Sequence, residues 1–248
     1  MEAVSYVVSD SPRLGLEVSR TDYFTLRSVL PLVRGDASVR AEFGSLSPET
    51  NRIPHSLCLH YIVRLFDGKV LCMRRDKRAA YHASRWSFTG EEQLSDLDFT
   101  SVHAMQALFR RSFCEEVLAL RDETPLDERW EIAEKLVQST ALWSLFVEEG
   151  IQNWSLLGFY QLRCDAAELV AEHNRLVDRG IGTRDLEGAF YVVPHEALTE
   201  LLVKGSCTAT GLFSGEDVTV AAEDFHPTSR YRIFRLLRAV NRGSLQYS

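Results

Sequence analysis

The chain has 248 residues, which is enough for one large domain or two small ones. Apolar residues make up 45% of it and charged residues 25%, as is ordinary for a protein that folds around a buried core. The formal net charge of −7 argues against a nucleic-acid binder driven by overall charge, although it leaves room for a local basic face.

Membrane and secretory features are missing from the sequence pattern. No stretch approaches the roughly 20 consecutive apolar residues that cross a bilayer, and the first ten residues have no basic start. The cysteines are isolated, odd in number and free of any Cys-x-x-Cys spacing, which favours reduced, buried thiols. We therefore expect a cytoplasmic protein without a membrane span. The five cysteines are Cys58, Cys72, Cys114, Cys164 and Cys207.

Residues 1–52 are predicted to form an extension ahead of the core. Residues 3–8 and 14–18 have strand character, and Asp22 is placed to cap a short helix that Pro31 would end. Residues 34–36 are typical of a turn. The extension could be an accessory layer or a dimerisation arm, so a homodimer stays open.

The core is predicted over residues 53–205 and begins with a β-hairpin. Residues 56–66 are rich in strand formers, Asp67-Gly68 is a strong hairpin signal, and residues 70–73 return as the second strand. Arg74 and Arg75 follow, either as a solvated strand end or as ligands for an anion.

A short aromatic strand and an acidic segment come next. Trp86 lies in the predicted strand within residues 81–88, and Gly90 follows it. The acidic side chains after Gly90 form a local cluster. For the last two of them, Asp96 and Asp98, a solvated loop is the simpler interpretation. The cluster comprises Glu91, Glu92, Asp96 and Asp98.

The segment of residues 101–120 is predicted to be one amphipathic helix. Its apolar residues recur at three- and four-residue steps, and the Ser101 hydroxyl can cap its start. Arg111 precedes Glu115 by four positions, so the two side chains are neighbours on the helix surface, and Glu116 follows directly. Two carboxylates on a rigid helix are a suitable basis for a hard divalent cation.

The rest of the chain continues the alternation of helices and strands. Residues 206–248 are treated as a C-terminal segment that packs on the core and ends in a helix with a basic face. The predicted elements are a helix over 127–137, strands over 141–147 and 154–162, a helix over 165–178 capped by Asp165, a strand over 189–193, a helix over 195–203, a flexible turn region over 207–215, a strand over 217–222 and a helix over 227–242.

The segment Arg111–Ala119 resembles the second half of the signature box of the Nudix family. Arg111 and the pair Glu115-Glu116 fall on the family's arginine and on its two metal-binding glutamates. The box departs at Ser112, where the family has a glutamate, and at Leu118, where it has a glycine. The first half does not match, because strict register puts Leu97 and His103 at the positions of the glycine and the first glutamate.

The resemblance implies a Nudix-like α/β/α sandwich with a mixed sheet, and hydrolysis of a nucleoside diphosphate linked to another group. It implies Mg²⁺ or Mn²⁺ held by Glu115 and Glu116. One acid of the cluster after Gly90 could supply the carboxylate that Ser112 cannot, and Glu92 is the candidate chosen among them. Arg111 would orient a glutamate.

The resemblance also implies a nucleotide-type ligand and further contacts to it. Arg74 or Arg75 would hold phosphate oxygens, and Trp86 or Tyr81 would stack on a base or line the pocket. Glu148 or Glu149 would be a loop general base.

Two other hypotheses stay open because Ser112 removes one carboxylate from the metal site. In the first, the domain binds a nucleotide as a sensor without cleaving it. In the second, the chain is an interaction module whose partner surface is formed by the N-terminal extension and the basic C-terminal helix.

Overall fold

The computed structural model describes residues 4–7, 15–18, 28, 32, 35–45, 56–77, 83–101, 103–148, 153–183 and 188–241. The chain divides into two compact units: residues 1–57 with 147–154, and residues 58–146 with 155–248. Among the described helices, none is both long and apolar enough to cross a membrane.

The first unit contains strands β1 (Val4–Val7) and β2 (Gly15–Val18), which pair antiparallel. Both strands lie within the stretches whose strand character the sequence predicts. Helix α1 (Ala37–Ser45) follows. Its first turn is capped by Asp36, whose carboxylate accepts a hydrogen bond from the backbone N–H of Ser38 at 2.8 Å. The helix predicted from Asp22 falls largely on residues that are not described.

The second unit is built on a sheet for which the described residues supply nine strands. The sheet order is β11-β10-β9-β4-β3-β8-β7, with β5 paired to β4 and β6 paired to β3. The strands are β3 (Leu57–Arg64), β4 (Val70–Arg75), β5 (Trp86–Ser87), β6 (Gly90–Gln93), β7 (Val137–Glu148), β8 (Asn153–Leu162), β9 (Gly188–Val193), β10 (Ser206–Gly211) and β11 (Asp217–Ala221).

Helices cover both faces of this sheet. Side chains alternate along β3, so Tyr61 faces helix α2 (Ala104–Ser112) and contacts the ring of Tyr160, whereas Ile62 lies in the apolar cluster that includes Ile233 and Leu236 of helix α6 (Ser229–Asn241). The α/β sandwich predicted from the sequence is confirmed. Its helices are α2 (Ala104–Ser112), α3 (Leu126–Leu136), α4 (Ala166–Asp178), α5 (His195–Lys204) and α6 (Ser229–Asn241).

Local signals account for several element boundaries. Gly68 has a φ of 85° in the β3–β4 turn, a conformation that glycine adopts at little cost. Asp165 caps α4, because its side chain accepts from the backbone N–H of Glu168 at 2.9 Å. Gly205 ends α5 in the left-handed conformation. These turns and caps are the ones that the sequence predicts.

One prediction about the sheet is wrong. Residues 207–215 are predicted to be a flexible turn, but residues 206–211 form β10, which pairs with both β9 and β11. Cys207 and Ala209 alternate into the core, at 5% and 0% exposure, while Thr208 faces outward. In the sequence, the glycines are a stronger signal for a turn than this short alternation is for a strand. Burial of two small apolar side chains nevertheless stabilises the strand.

The C-terminal helix is fixed to the sheet by a fully buried arginine. Arg232 of α6 places one terminal nitrogen 2.6 Å from the Glu91 carboxylate and 2.7 Å from the Thr228 hydroxyl. Its other terminal nitrogen donates to the carbonyls of Phe88, at 2.9 Å, and Gly90, at 3.3 Å. One side chain therefore links α6 to the whole β5–β6 segment.

Glu91 is the anionic centre of this buried cluster. His60, on the neighbouring strand, hydrogen-bonds Arg232, and Arg75 reaches the second Glu91 oxygen at 2.9 Å. The Nε2 of His226 lies 3.6 Å from the same carboxylate. Burial by itself would raise the pKa of the Glu91 carboxyl, but His60 and Arg232 act against it and hold that pKa well below its usual range.

We expect Arg232→Met to lower the free energy of unfolding by about 3–5 kcal/mol, because it leaves the Glu91 carboxylate without its closest cation. Urea unfolding measures this. Arg238→Gln, at an exposed position of the same helix, is the control and is expected to change stability by less than about 0.5 kcal/mol. Equal losses in the two variants would contradict the role given to Arg232.

A second prediction concerns acid. Because the folded-state pKa of Glu91 lies below its ordinary value of 4.5, its stabilising contribution is complete above that value and is lost as the pH falls through the folded pKa. We expect Glu91→Gln to be less stable than the wild type near neutral pH and to lose less stability on acidification. Urea midpoints between neutral and acid pH, with Glu131→Gln as the exposed control, test this. Parallel pH curves for Glu91→Gln and the wild type would refute it.

Candidate active site

The segment that carries the signature residues is a compound helix. A 3-10 turn (Asp96–Thr100) precedes α2, and a π-turn (Phe113–Val117) follows it. The prediction of one α-helix over 101–120 with Ser101 as its cap is therefore wrong. Helix α2 begins at Ala104, after a cap residue that makes no side-chain hydrogen bond. The wider turn lets both Phe113 and Val117 stay buried, and π-turns are frequent at functional sites.

Arg111 is the centre of the carboxylate cluster. Its Nε and one terminal nitrogen each lie 3.0 Å from the Asp98 carboxylate, and that nitrogen also donates to the Gln93 carbonyl at 2.6 Å. The other terminal nitrogen lies 3.1 Å from Glu115 and 3.0 Å from Glu92. All five N–H groups of the guanidinium therefore have an acceptor.

Glu115 lies between two arginines. One oxygen accepts from Arg111 and the other from Arg129 of α3, each at 3.1 Å. Arg129 is itself fixed, because it donates to the carbonyls of Thr124 at 2.9 Å and Arg121 at 2.7 Å. The Glu115 carboxylate is thus neutralised on both sides by buried cations.

Glu91 and Glu92 point to opposite faces of the sheet. They are successive residues of β6 and pair with His60 and Leu59 of β3, so their side chains alternate. Glu92 faces Arg111 and Glu91 faces Arg232. The position of Gly90 explains why it is a glycine, because a Cβ there would overlap the ring of its cross-strand partner Tyr61.

Glu92 and Glu116 act on a common neighbour, the phenol of Tyr61. Burial raises the pKa of Tyr61 well above its usual value, and the charges of Glu116 and Glu92 raise it further. Burial also raises the pKa of Glu92, against the opposing effect of Arg111. Two carboxylates therefore act electrostatically on the same buried hydroxyl, and the pKa of one of them, Glu92, is raised.

Ser112 provides no ligand at the surface of this cluster. Its side chain is fully buried, and its hydroxyl lies 2.6 Å from the hydroxyl of Tyr160, which donates to the Phe109 carbonyl at 2.6 Å. The serine packs the helix against the sheet. The glutamate that the Nudix box has at this position would place a charge in the same buried space.

The predicted metal ligands do not fit a resident divalent cation. Within the described ranges, no group of three or more His, Cys, Asp or Glu side chains is arranged to hold a metal ion. Both oxygens of Glu115 are engaged by arginines, and the oxygen of Glu92 that faces Arg111 also accepts from the backbone N–H of Gln93. Coordination of Mg²⁺ or Mn²⁺ by Glu115 and Glu92, beside Glu116, would compete with these contacts.

The three predicted substrate-binding residues differ in their exposure and in their partners. Arg74 is exposed, and its guanidinium lies 5.9 Å from the centre of the Trp86 ring. Arg75 is engaged by Glu91. Trp86 is only 6% exposed and packs against Tyr191, so the expectation that it stacks on a base is wrong for this arrangement. Of the three, Arg74 remains available to an anion.

Other predicted residues cannot be placed. Tyr81 and Glu149 lie outside the described residues, and so does the side chain of Glu148. The described cysteines are buried and free, as expected, and burial raises the pKa of the Cys114 thiol to about 12, which excludes it as a nucleophile at neutral pH.

Asp98 and Arg129 are the functional residues that the sequence interpretation missed. Asp98 is expected in a solvated loop, but it is 1% exposed and forms the two-point contact with Arg111. A signal for it exists: Ser95 and Asp98 have the spacing of a capping box, and the Asp98 carboxylate does accept from the Ser95 backbone N–H at 2.9 Å. Arg129 carries no comparable signal, because its contact with Glu115 depends on how α3 packs.

We expect Asp98→Asn to lower the free energy of unfolding by about 3 kcal/mol, because it leaves the buried Arg111 without its two-point partner. Asp96→Asn, two residues earlier and exposed, is expected to cost less than about 1 kcal/mol. Denaturant unfolding of both variants tests this, and similar losses would show that Asp98 is not special. In a double-mutant cycle, Arg111→Met combined with Asp98→Asn should cost less than the sum of the single changes.

Comparisons with known proteins give matches by fold but none by sequence. No family model and no curated protein matches the chain. DR0079 from Deinococcus radiodurans is 11% identical, with 65% of this chain and 82% of that one covered at a TM-score of 0.35. Tm1382, a proposed Nudix hydrolase, is 9% identical, with 74% and 78% covered at a TM-score of 0.34.

A third similar structure is a bifunctional NMN adenylyltransferase/ADP ribose pyrophosphatase from Francisella tularensis. It is 13% identical, with 54% of this chain and 37% of that one covered at a TM-score of 0.28. These similarities concern the fold alone. At these TM-scores the matches carry no argument about chemistry, and the proposals below depend on this chain's own residues.

Proposed function

We propose that this chain is a Nudix-like domain that binds a nucleotide-type ligand and does not hydrolyse it. The observation that carries the proposal is the state of Glu115, whose two oxygens are held at 3.1 Å by Arg111 and Arg129. Breaking this bridge to admit a cation would leave two buried arginines short of an acceptor, which is costly. Ser112 adds no replacement ligand, because its hydroxyl is buried against the Tyr160 hydroxyl.

The anionic part of the ligand is assigned to the end of β4. Arg74 is exposed there, and within the described part of the chain it has no carboxylate partner. Arg85 is exposed beside the paired strand β5 and donates to the Glu223 carbonyl, a neutral acceptor that leaves its charge uncompensated. Two such guanidinium groups suit phosphate oxygens, which accept paired N–H donors.

The test is to measure binding and turnover on the same samples. We expect nucleoside diphosphates, nucleotide sugars or dinucleotides to raise the melting temperature without divalent metal, and to release no product when Mg²⁺ or Mn²⁺ is added. Arg74→Gln should weaken the affinity about tenfold, as loss of one charged contact does, whereas Arg238→Gln should not. Metal-dependent product release that disappears in Glu116→Gln would refute the proposal.

Metal-dependent product release that disappears in Glu116→Gln would establish the second candidate function, a nucleotide hydrolase. One observation favours it: the charges of Glu92 and Glu116 both act on the Tyr61 phenol, and burial raises the pKa of Glu92 above its ordinary value, the direction that suits a carboxyl acting as a general acid or base. Absence of both binding and turnover would instead favour an interaction module.

A further inference from the structure

The sheet of the second unit has two edges that differ in length and in charge. Among the described strands, β11 (Asp217–Ala221) forms one edge and β7 (Val137–Glu148) forms the other. An edge strand presents backbone N–H and C=O groups that can pair with another chain. The β11 edge is protected against such pairing, because the strand is short and begins with a charged residue. The β7 edge is formed by the longest of the described strands.

The first part of β7 lacks the residues that discourage edge pairing. Residues 137–147 contain no charged residue, no proline and no glycine. Gln138, Ser139 and Thr140 are exposed in succession. Because successive side chains point to opposite faces of a sheet, both faces of the strand are open to solvent there. Leu142 is also 40% exposed. This part of the edge is therefore long, neutral and accessible.

Helix α6 holds the later part of the strand in place. The Trp143 carbonyl accepts a hydrogen bond from Arg235 of α6 at 2.9 Å, and the Ser144 hydroxyl accepts one from Tyr231 at 2.9 Å. Because the strand is fixed before any partner binds, pairing with it costs little conformational entropy. In the described ranges, hydrogen bonds from α6 to β7 begin at Trp143, so residues 138–142 are the part of the edge that we assign to pairing.

We propose that residues 138–142 pair antiparallel with the same residues of a second copy of this chain. A twofold axis at Thr140 places each residue opposite the one that lies equally far on the other side of Thr140. No cross-strand pair then contains two like charges, and two threonines are a favourable pair. The cross-strand pairs are Thr140 with Thr140, Gln138 with Leu142, and Ser139 with Ala141.

A second copy suits this edge because the strand is complementary to itself. A neutral strand carries no charge pattern by which it would select an unlike partner. Pairing through one edge is isologous, so it closes at the dimer. Opposite residues share a face of the sheet, so Leu142 of each copy covers the side-chain stem of Gln138 in the other. The proposal is independent of the nucleotide site, because it uses neither Arg74 nor Arg85.

Sedimentation velocity of the full chain tests the proposal. We expect a monomer–dimer equilibrium with a dissociation constant of about 100 µM, because a pairing of this length buries less area than a standard interface. The dimer should become stronger when salt is raised from about 50 mM to about 500 mM, since screening weakens the repulsion between two chains of net charge −7. A dimer held by surface ion pairs would become weaker, and that result would contradict the proposal.

Substitutions at the twofold axis test the register. Thr140→Lys and Thr140→Glu should each weaken the dimer at least about tenfold, because like charges directly opposite each other are destabilising. Neither should lower the melting temperature of the monomer, since the position is exposed. An equimolar mixture of the two variants should regain the wild-type affinity, because the facing charges are then opposite in sign. Thr219→Lys, at an exposed position of β11, is the matched control and should leave the dimer unchanged.

The same experiment shows how the proposal would fail. A chain that stays monomeric up to about 1 mM does not pair in this way, and its β7 edge would be left to a strand of another protein. A dimer that survives both Thr140→Lys and Thr140→Glu uses another surface. A mixture of these two variants that does not regain affinity excludes a twofold axis at Thr140. Each of these results would overturn the proposal.

Discussion

The contact between Arg232 and Glu91 is the interaction on which the rest of this domain depends. A fully buried guanidinium is costly to remove from water, and it is tolerated here because a carboxylate, two backbone carbonyls and the hydroxyls of Ser87 and Thr228 surround it. The same contacts bring β5 and β6 into place, and β6 presents Glu92 to the other face. The carboxylate cluster is therefore positioned by a residue more than 100 positions away in the sequence.

The two faces of the sheet are organised by the same chemical rule. On each face a buried arginine donates hydrogen bonds to backbone carbonyls and carboxylates of residues 86–98. Arg232 does so on one face and Arg111 on the other. Each guanidinium holds several of these acceptors at once, so moving one partner disturbs the others and the networks resist rearrangement. This is the physical reason for favouring ligand binding over metal-assisted chemistry at Glu115.

Local chemistry made much of the fold predictable from the sequence. The Asp67-Gly68 turn, the Asp165 cap and the Gly205 stop depend on backbone conformations or hydrogen bonds within a few residues, and the structure has each of them. The contact of Arg111 with Glu115 was predictable for the same reason, since four residues of helix separate them.

Contacts between distant elements were not predictable in this way. Arg129 reaches Glu115 only because α3 folds back on the π-turn, and Trp86 is buried only because Tyr191 and Phe225 close over it. Asp98 lies between the two cases: its cap contact with Ser95 was visible in the sequence spacing, but its partner Arg111 was 13 positions away.

The tandem glutamates have a consequence for the alignment of β6 in the sheet. Strand register is normally specified by which face is apolar, because a slip of one residue exchanges the faces. Here charge specifies the register. A slip of one residue in one direction would place Gln93 at Arg111, and a slip in the other direction would place Gly90 at Arg232, so one arginine would lose its anion in either case. Only the observed alignment gives Arg111 and Arg232 one carboxylate each. The two adjacent glutamates therefore specify a single register of β6 against β3.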